Sequence, residues 1–389
     1  MNQSNRFIYA DNAATTPLLP QALEAMLPFL KDDFANPSGL YSFSRSAKKA
    51  LQDARNTIAE CIGAKASEIY FTSGGTESDN WALKSIALNR LEQPPHIVTT
   101  KIEHHAVLNS CKSLERLGCE VDYIAPDPLG RILPQTLAQA LTTHTTLVSV
   151  MMANNEIGTI QDIPTLAGKA HSFGSVFHTD AVQAVGHIPV DVVALDIDML
   201  SASAHKFNGP KGVGFLYIRE GVDLDPFLSG GQQEQGLRAG TENVASIVGM
   251  ATALRHNVDQ MEKTTTKLRQ IEQTFIDALR AAIPNITING DTSNHLPGLV
   301  SVSIPGVSGE GLLHILDLKG CAVSTGAACN SQSTEISHVL SAIGSPESLA
   351  KGTLRISFGR FNQIQDAQKI VEVITKYALS VQGKSSGEK

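Results

Sequence analysis

Short apolar runs and longer amphipathic stretches alternate along the first two thirds of the chain. Between Ser42 and Gly63, the residues Ala47, Leu51, Ala54, Ile58 and Ile62 recur at the spacing of a helix with one apolar face. The next run, Glu68-Ile-Tyr-Phe-Thr72, carries β-branched and aromatic residues and predicts a strand. Further strands are predicted at 96–100, 120–124, 146–151, 175–179 and 213–218, with helices such as 103–117 and 163–173 between several of them. Alternation of this kind predicts an α/β fold whose sheet is mostly parallel and covered by helices on both faces.

The pattern then changes. Residues 243–282 read as continuous helix, which suits a connection to a second unit. Beyond it come a strand at 299–304, a helix reaching Leu318, a strand at 354–358 and a last helix reaching Val381. A large domain over 14–260 is therefore expected beside a smaller α+β domain built from 1–13 and 261–389, with a disordered tail over 383–389.

Composition narrows the class. The 389 residues are 42% apolar and 18% charged, with a net charge of −7, which argues against a general nucleic-acid surface. No apolar run reaches the length of a membrane span, and the N-terminus lacks the basic-then-apolar order of a secretory signal. Five cysteines (Cys61, Cys111, Cys119, Cys321 and Cys329) show no Cys-x-x-Cys spacing, which suits a reducing compartment and argues against a disulfide framework or a metal site. A cytoplasmic enzyme is expected.

Two strand ends then supply chemistry. Asp180 closes Ser175-Val-Phe-His-Thr-Asp180, and Lys206 closes Met199-Leu-Ser-Ala-Ser-Ala-His-Lys206. A carboxylate and an amine at neighbouring strand ends could grip a flat heterocycle at both sides. Pyridoxal 5′-phosphate needs that pair, one group to hold its ring nitrogen protonated and the other to form the Schiff base. A surface lysine and an unrelated turn aspartate would look the same. Lys211 competes for the amine role, but it sits in the turn Asn208-Gly-Pro-Lys-Gly212. In Thr72-Ser-Gly-Gly-Thr-Glu77 a strand passes through Gly74 and Gly75 into a helix, where free amides and hydroxyls suit a phosphate and equally suit a simple helix cap.

Three more residues enter as candidates. His104 opens a helix, where it could lie over a cofactor ring and move protons, or simply face solvent. Cys329 lies in Ser324-Thr-Gly-Ala-Ala-Cys-Asn-Ser331, a run with no hydrophobic period, so its thiol suits a nucleophile better than a core role. Cys321 and Cys61 read as core residues, and His178 as a packing residue of its strand. Arg355 is a charge within an apolar strand, placed to hold a carboxylate with its fork or to sit in an edge-strand ion pair.

Taken together, these stretches resemble the cysteine desulfurases of the NifS/IscS type, within the class-V aminotransferases of pyridoxal-phosphate fold type I. The resemblance runs from Tyr9-Ala-Asp-Asn-Ala-Ala-Thr-Thr-Pro17 to Arg360, and also takes in Asn154-Asn-Glu-Ile-Gly158, Asp180-Ala-Val-Gln183 and Arg238-Ala-Gly-Thr241. It implies a seven-stranded sheet in the large domain and a small domain carrying Arg355 and the Cys329 loop. Lys206 would carry the cofactor, Asp180 would pair with its ring nitrogen and His104 would stack on its ring. Gly75, Thr76, Ser203 and His205 would hold the phosphate, joined by Thr241 from the partner subunit of a homodimer. Asn155 and Gln183 would contact the hydroxyl side of the ring, and Asn155 with Arg355 would orient the substrate carboxylate.

The activity so implied removes sulfur from L-cysteine, leaving L-alanine and a persulfide on Cys329 for an acceptor protein in iron–sulfur cluster assembly or thiolation. Lys206, His104 and Cys329 would be its catalytic residues. The loop departs from the usual Ser-Ser-Gly-Ser-Ala-Cys-Thr-Ser by losing two hydroxyls near the thiol, with Ala327-Ala328 in place of Ser-Ala and Asn330 in place of Thr. The alternatives are a selenocysteine lyase, a related transaminase, or a non-catalytic sulfur-relay subunit. Against the last stand the retained Lys206, Asp180 and His104.

Overall fold

The run Ile69–Thr72 forms one edge of a seven-stranded sheet in the computed structural model, which describes residues 6–88, 95–325 and 336–385. From that edge the order is Ile69–Thr72, Gly214–Ile218, Met199–Ser203, Val176–Asp180, Thr145–Ser149, His96–Thr100 and Glu120–Ile124. Gly214–Ile218 runs antiparallel to both neighbours, and the other pairings are parallel. The interior strands Thr145–Ser149 and Met199–Ser203 are buried at every position. A parallel sheet covered on both faces requires this, and neither strand carries a charged residue. Glu120–Ile124, at the other edge, alternates towards solvent.

Helices Pro20–Lys31, Arg45–Ile62 and Val244–Asp259 pack together over part of this sheet. Arg45–Ile62 buries Ala47, Ala54, Ile58 and Ile62 and ends at Gly63, whose φ of 70° is the left-handed conformation that glycine adopts most readily. The helical stretch expected over 243–282 is two helices, Val244–Asp259 and Met261–Ala282, broken at Gln260. Asn243 starts the first by accepting a hydrogen bond from the Ser246 amide at 3.2 Å.

A second hydrophobic core gathers Leu268, Phe275, Val300, Leu316, Leu354 and Ile370, and the early residues Ile8 and Ala10 belong to it. Its antiparallel strands lie in the order Thr353–Ser357, Leu299–Ser303, Thr287–Asn289. Ile8–Tyr9 pairs in parallel with Cys321–Ala322. The last helix, Ile364–Ser385, passes through Gly383, where a disordered tail was expected. One glycine weakens a helix by only about 1 kcal/mol, too little to end it without a competing cap. Residues 386–389 lie outside the described residues.

Candidate active site

The C-terminal ends of parallel strands are where open α/β sheets bind ligands, because helix starts and loops converge there. Asp180 ends Val176–Asp180, and Met199–Ser203 leads through a single turn to Lys206. Asp180 is buried and its Oδ1 accepts the Val182 amide at 2.9 Å. Burial pushes its carboxyl above the ordinary 3.8, against the pull of His104, the Val182 amide and Lys206. A buried carboxylate so placed needs a cation beside it. Lys206 Nζ donates to the carbonyls of Ala13 and Ala14 at 2.7 and 2.9 Å. Lys211 is exposed in its turn.

His104 caps helix His105–Glu115, its Nδ1 accepting the Ala106 amide at 3.1 Å. The neutral ring therefore carries its proton on Nε2. Burial lowers its pKa, reinforced by the charges of Lys206 and His105 and opposed by Asp180. Thr76, Asn80, His104 and Asn109 line one open cleft, so the helix start after Gly74 and the His104 ring face a shared space.

That helix start is bare by construction. A Cβ at Gly75 would stand 2.5 Å from Val182 Cγ2, and one at Gly74, with φ at +148°, would stand 3.4 Å from Ser203 Oγ. The first amides of helix Gly75–Leu88 have no acceptor within the helix, which favours an anion. Glu77 accepts the Ser73 amide at 2.8 Å and is held below its ordinary pKa by its bonds to Arg238 and Ser73, which outweigh the opposing effect of burial. Its 2.8 Å ion pair with Arg238 ties the loop carrying Thr241 to the same helix. Thr241 itself is exposed. His205 Nδ1 lies 3.1 Å from Thr15 Oγ1, and burial with the charges of Lys206 and Lys211 lowers its pKa to about 4.

Gln183 donates to Ala13 O at 2.8 Å. Arg355 lies in strand Thr353–Ser357 and reaches out of the second core, donating from Nη1 to Asn155 O at 3.0 Å and from Nη2 to Asp11 Oδ1 at 2.8 Å. It is thus an edge-strand arginine in an ion pair, and one whose fork points at the Asn155 loop. His178 is a packing residue, buried between the hydroxyls of Ser149 and Ser201 at 2.9 and 3.0 Å. Cys321 is fully buried, whereas Cys61 is only partly covered. It packs against the edge of the first hydrophobic core, and burial pushes its thiol up to about 11.

Cys329 lies outside the described residues. On one side of it, Ser324 exchanges backbone hydrogen bonds with Arg355, at 3.0 and 2.7 Å. On the other, the Ser337 hydroxyl donates to Glu156 Oε2, and His338 Nε2 lies 3.0 Å from Glu103 O. Sequence reasoning missed Asp11, Glu103 and Glu156. The last two are buried acids beside the His104 and Asn155 positions, with carboxyls pushed by burial up to about 8 and about 7. An acid next to a recognised site residue was the signal that could have marked them.

The class-V aminotransferase family model matches residues 8–370. "Cysteine desulfurase IscS" of Methanosarcina thermophila is 46% identical over 385 residues, spanning 99% of this chain and 95% of its own length. A solved structure described as "NIFS-LIKE PROTEIN" matches with a TM-score of 0.90 at 36% identity, covering 95% of this chain and 99% of its own. Another, "SspA in complex with cysteine", matches with a TM-score of 0.82 at 37% identity, covering 91% and 99% respectively. The chain belongs to the class-V aminotransferases, and within them to the cysteine desulfurases.

Proposed function

We propose that this protein takes sulfur from L-cysteine, releases L-alanine and carries the sulfur as a persulfide on Cys329 to an acceptor protein. One observation carries the reading. The buried Asp180 and the amine of Lys206 close adjacent strand ends beside a bare helix start. Pyridoxal phosphate fits that arrangement, with a buried carboxyl, an amine, and a helix start whose first amides are open to an anion. Lys206 would hold it covalently, Asp180 at its ring nitrogen and Gly75, Thr76, Ser203 and His205 at its phosphate. His104 would lie over the ring, and Asn155 and Gln183 on its hydroxyl side. When bound, the cofactor supplies a sink for the electron pair left at the substrate Cα.

The protein's own groups do the rest. Arg355 and Asn155 orient the α-carboxylate, fixing which Cα bond faces the ring. The Lys206 amine takes the Cα proton, and neutral His104 relays protons from Nε2. The Cys329 thiolate attacks the substrate sulfur; the S–S bond forms as the C–S bond breaks, and its electrons pass to the fragment that is reprotonated as alanine. A thiol on its own chain, brought to a positioned substrate, needs no second encounter.

A homodimer is proposed because helix Pro20–Lys31 and the segment after it expose Leu30, Phe34, Leu40 and Tyr41, with Phe34 70% and Leu40 fully accessible. Thr241, exposed near the helix start, would then complete the phosphate site of the partner. A division near residue 260, with residues 1–13 joining the later unit, is part of the proposal, supported by Ile8 and Ala10 in the second core. No described helix is long and apolar enough to cross a membrane. The described cysteines are all free, which supports a cytoplasmic location.

The test is alanine and sulfide released from L-cysteine with a reductant, beside Cys329→Ser. Equal amounts from the wild type and little from the variant support the proposal. Sulfide from both would remove the persulfide step.

A further inference from the structure

The segment Asp11–Thr16 meets four residues of the site, Lys206, Gln183, His205 and Arg355. Asp11 bridges to Ser357, Asn12 N donates to Ser357 O at 3.1 Å, and Ala13 N donates to Ser357 Oγ at 2.9 Å. The same segment offers its carbonyls to Lys206 and Gln183 and its Thr15 hydroxyl to His205. Tyr9 fixes the turn from outside, its one hydroxyl hydrogen shared between Asp11 O at 2.9 Å and Thr15 O at 2.8 Å. Asp11 therefore sits on a braced backbone.

Its side chain meets Arg355. The guanidinium is a rigid planar fork, so two contacts on different nitrogens set its plane. Asp11 Oδ1 takes a hydrogen of Nη2 at 2.8 Å, and Asn155 O takes one of Nη1 at 3.0 Å. Arg355 is 4% exposed, and its Nε is buried with no partner among the described residues. A buried arginine with a donor left over is held for something. After these two bonds the fork still has Nε–H and the second hydrogens of Nη1 and Nη2, enough for a carboxylate to accept two in parallel.

We propose that Asp11 is the positioning residue for substrate recognition: it balances the buried charge of Arg355 and turns the fork so that its remaining donors receive the α-carboxylate of an amino acid. The inference rests on the proposed role of Arg355. Asp11 touches no reacting atom, and its effect belongs to substrate affinity, not to the chemical step.

The experiment compares holoenzyme carrying Asp11→Ala or Asp11→Asn with the wild type. Losing a charge-assisted bond frees the fork, so Asp11→Ala raises KM for L-cysteine about tenfold while kcat stays within about twofold. Asparagine keeps an oxygen acceptor at the same place, so Asp11→Asn stays within about threefold of the wild-type KM. Cysteamine, with the amine and thiol but no carboxylate, competes equally well with all three proteins. L-alanine binding, titrated through the cofactor absorbance, weakens about tenfold in Asp11→Ala and reads the inference even if turnover is absent. If Asp11→Ala does not fold, Asp11→Ser, whose side chain is shorter than that of aspartate and uncharged, carries the same expectation. An unchanged or lowered KM, or a parallel loss of cysteamine binding, overturns the inference. A wild type that releases no alanine from L-cysteine counts against the proposed function instead.

Discussion

Lys206 Nζ lies 2.7 Å from the carbonyl oxygen of Ala13, so an amine at the end of a central strand docks on a segment 193 positions earlier in sequence. The neighbouring Ala14 carbonyl accepts from it as well, at 2.9 Å. Two carbonyls give a lysine a defined place when it is not covalently engaged, as it must be for part of each turnover if it acts as a base.

This placement separates Lys206 from Lys211. Borohydride reduction of the holoenzyme is expected to fix the cofactor to the peptide containing Lys206. Lys206→Ala is expected to lose that adduct and to form alanine at least about a thousandfold more slowly. Lys211→Ala, altering an exposed turn, keeps both. Peptide mapping checks the assignment, and an adduct on Lys211 would transfer the role.

Glu103 makes stability depend on pH. Its Oε1 accepts from Thr100 Oγ1 and Met151 N, both at 2.8 Å, while Oε2 is buried without a partner among the described residues. Burial moves its pKa from 4.5 to about 8, with Asp180 adding to the rise and its two donors opposing it. The folded state thus keeps a proton that the unfolded chain releases above 4.5. This contribution to stability is complete below pH 4.5, falls as pH rises through about 8, and is level beyond. Glu103→Gln, neutral throughout, is expected to flatten the urea midpoint against pH between 5 and 8. Equal slopes for the two proteins would show that Glu103 is ionised in the fold.

The apolar face around Phe34 and Leu40 predicts association. Sedimentation of the wild type at micromolar concentration is expected to give the mass of two chains, and Phe34→Glu with Leu40→Glu to give one. The monomeric variant should also bind the cofactor more weakly, through loss of Thr241 from the partner subunit. A wild type that sediments as a monomer would remove the Thr241 assignment.

Residues at strand ends were the legible part of the site. Asp180 and Lys206 each follow a short apolar run, and a charge there must face an opening in the sheet. Gly74 and Gly75 were legible because few contexts other than a turn into a bare helix start place two glycines after a strand. Arg355 stood out against its apolar strand, yet its partner did not. Asp11 lies 344 positions away in sequence, and no local period encodes such a pairing. Glu103 looked like an ordinary charge in the first turn of a helix, and only the packing above it makes it a buried acid. Thr287–Asn289, a strand of three residues with one buried, is too short for alternation to register. The break at Gln260 escaped because neither glycine nor proline marks it.

The pairing of Asp11 with Arg355, and of Ile8–Tyr9 with Cys321–Ala322, also bears on how the protein is born. A ribosome makes the N-terminal residues first, yet they find their partners only when more than three hundred further residues have emerged. Until then the sheet can form around Asp180 and Lys206, but nothing arranges a fork for a carboxylate. A nascent or truncated chain could therefore capture the cofactor early while remaining unable to engage an amino acid, which would delay reactive sulfur chemistry until synthesis is nearly complete.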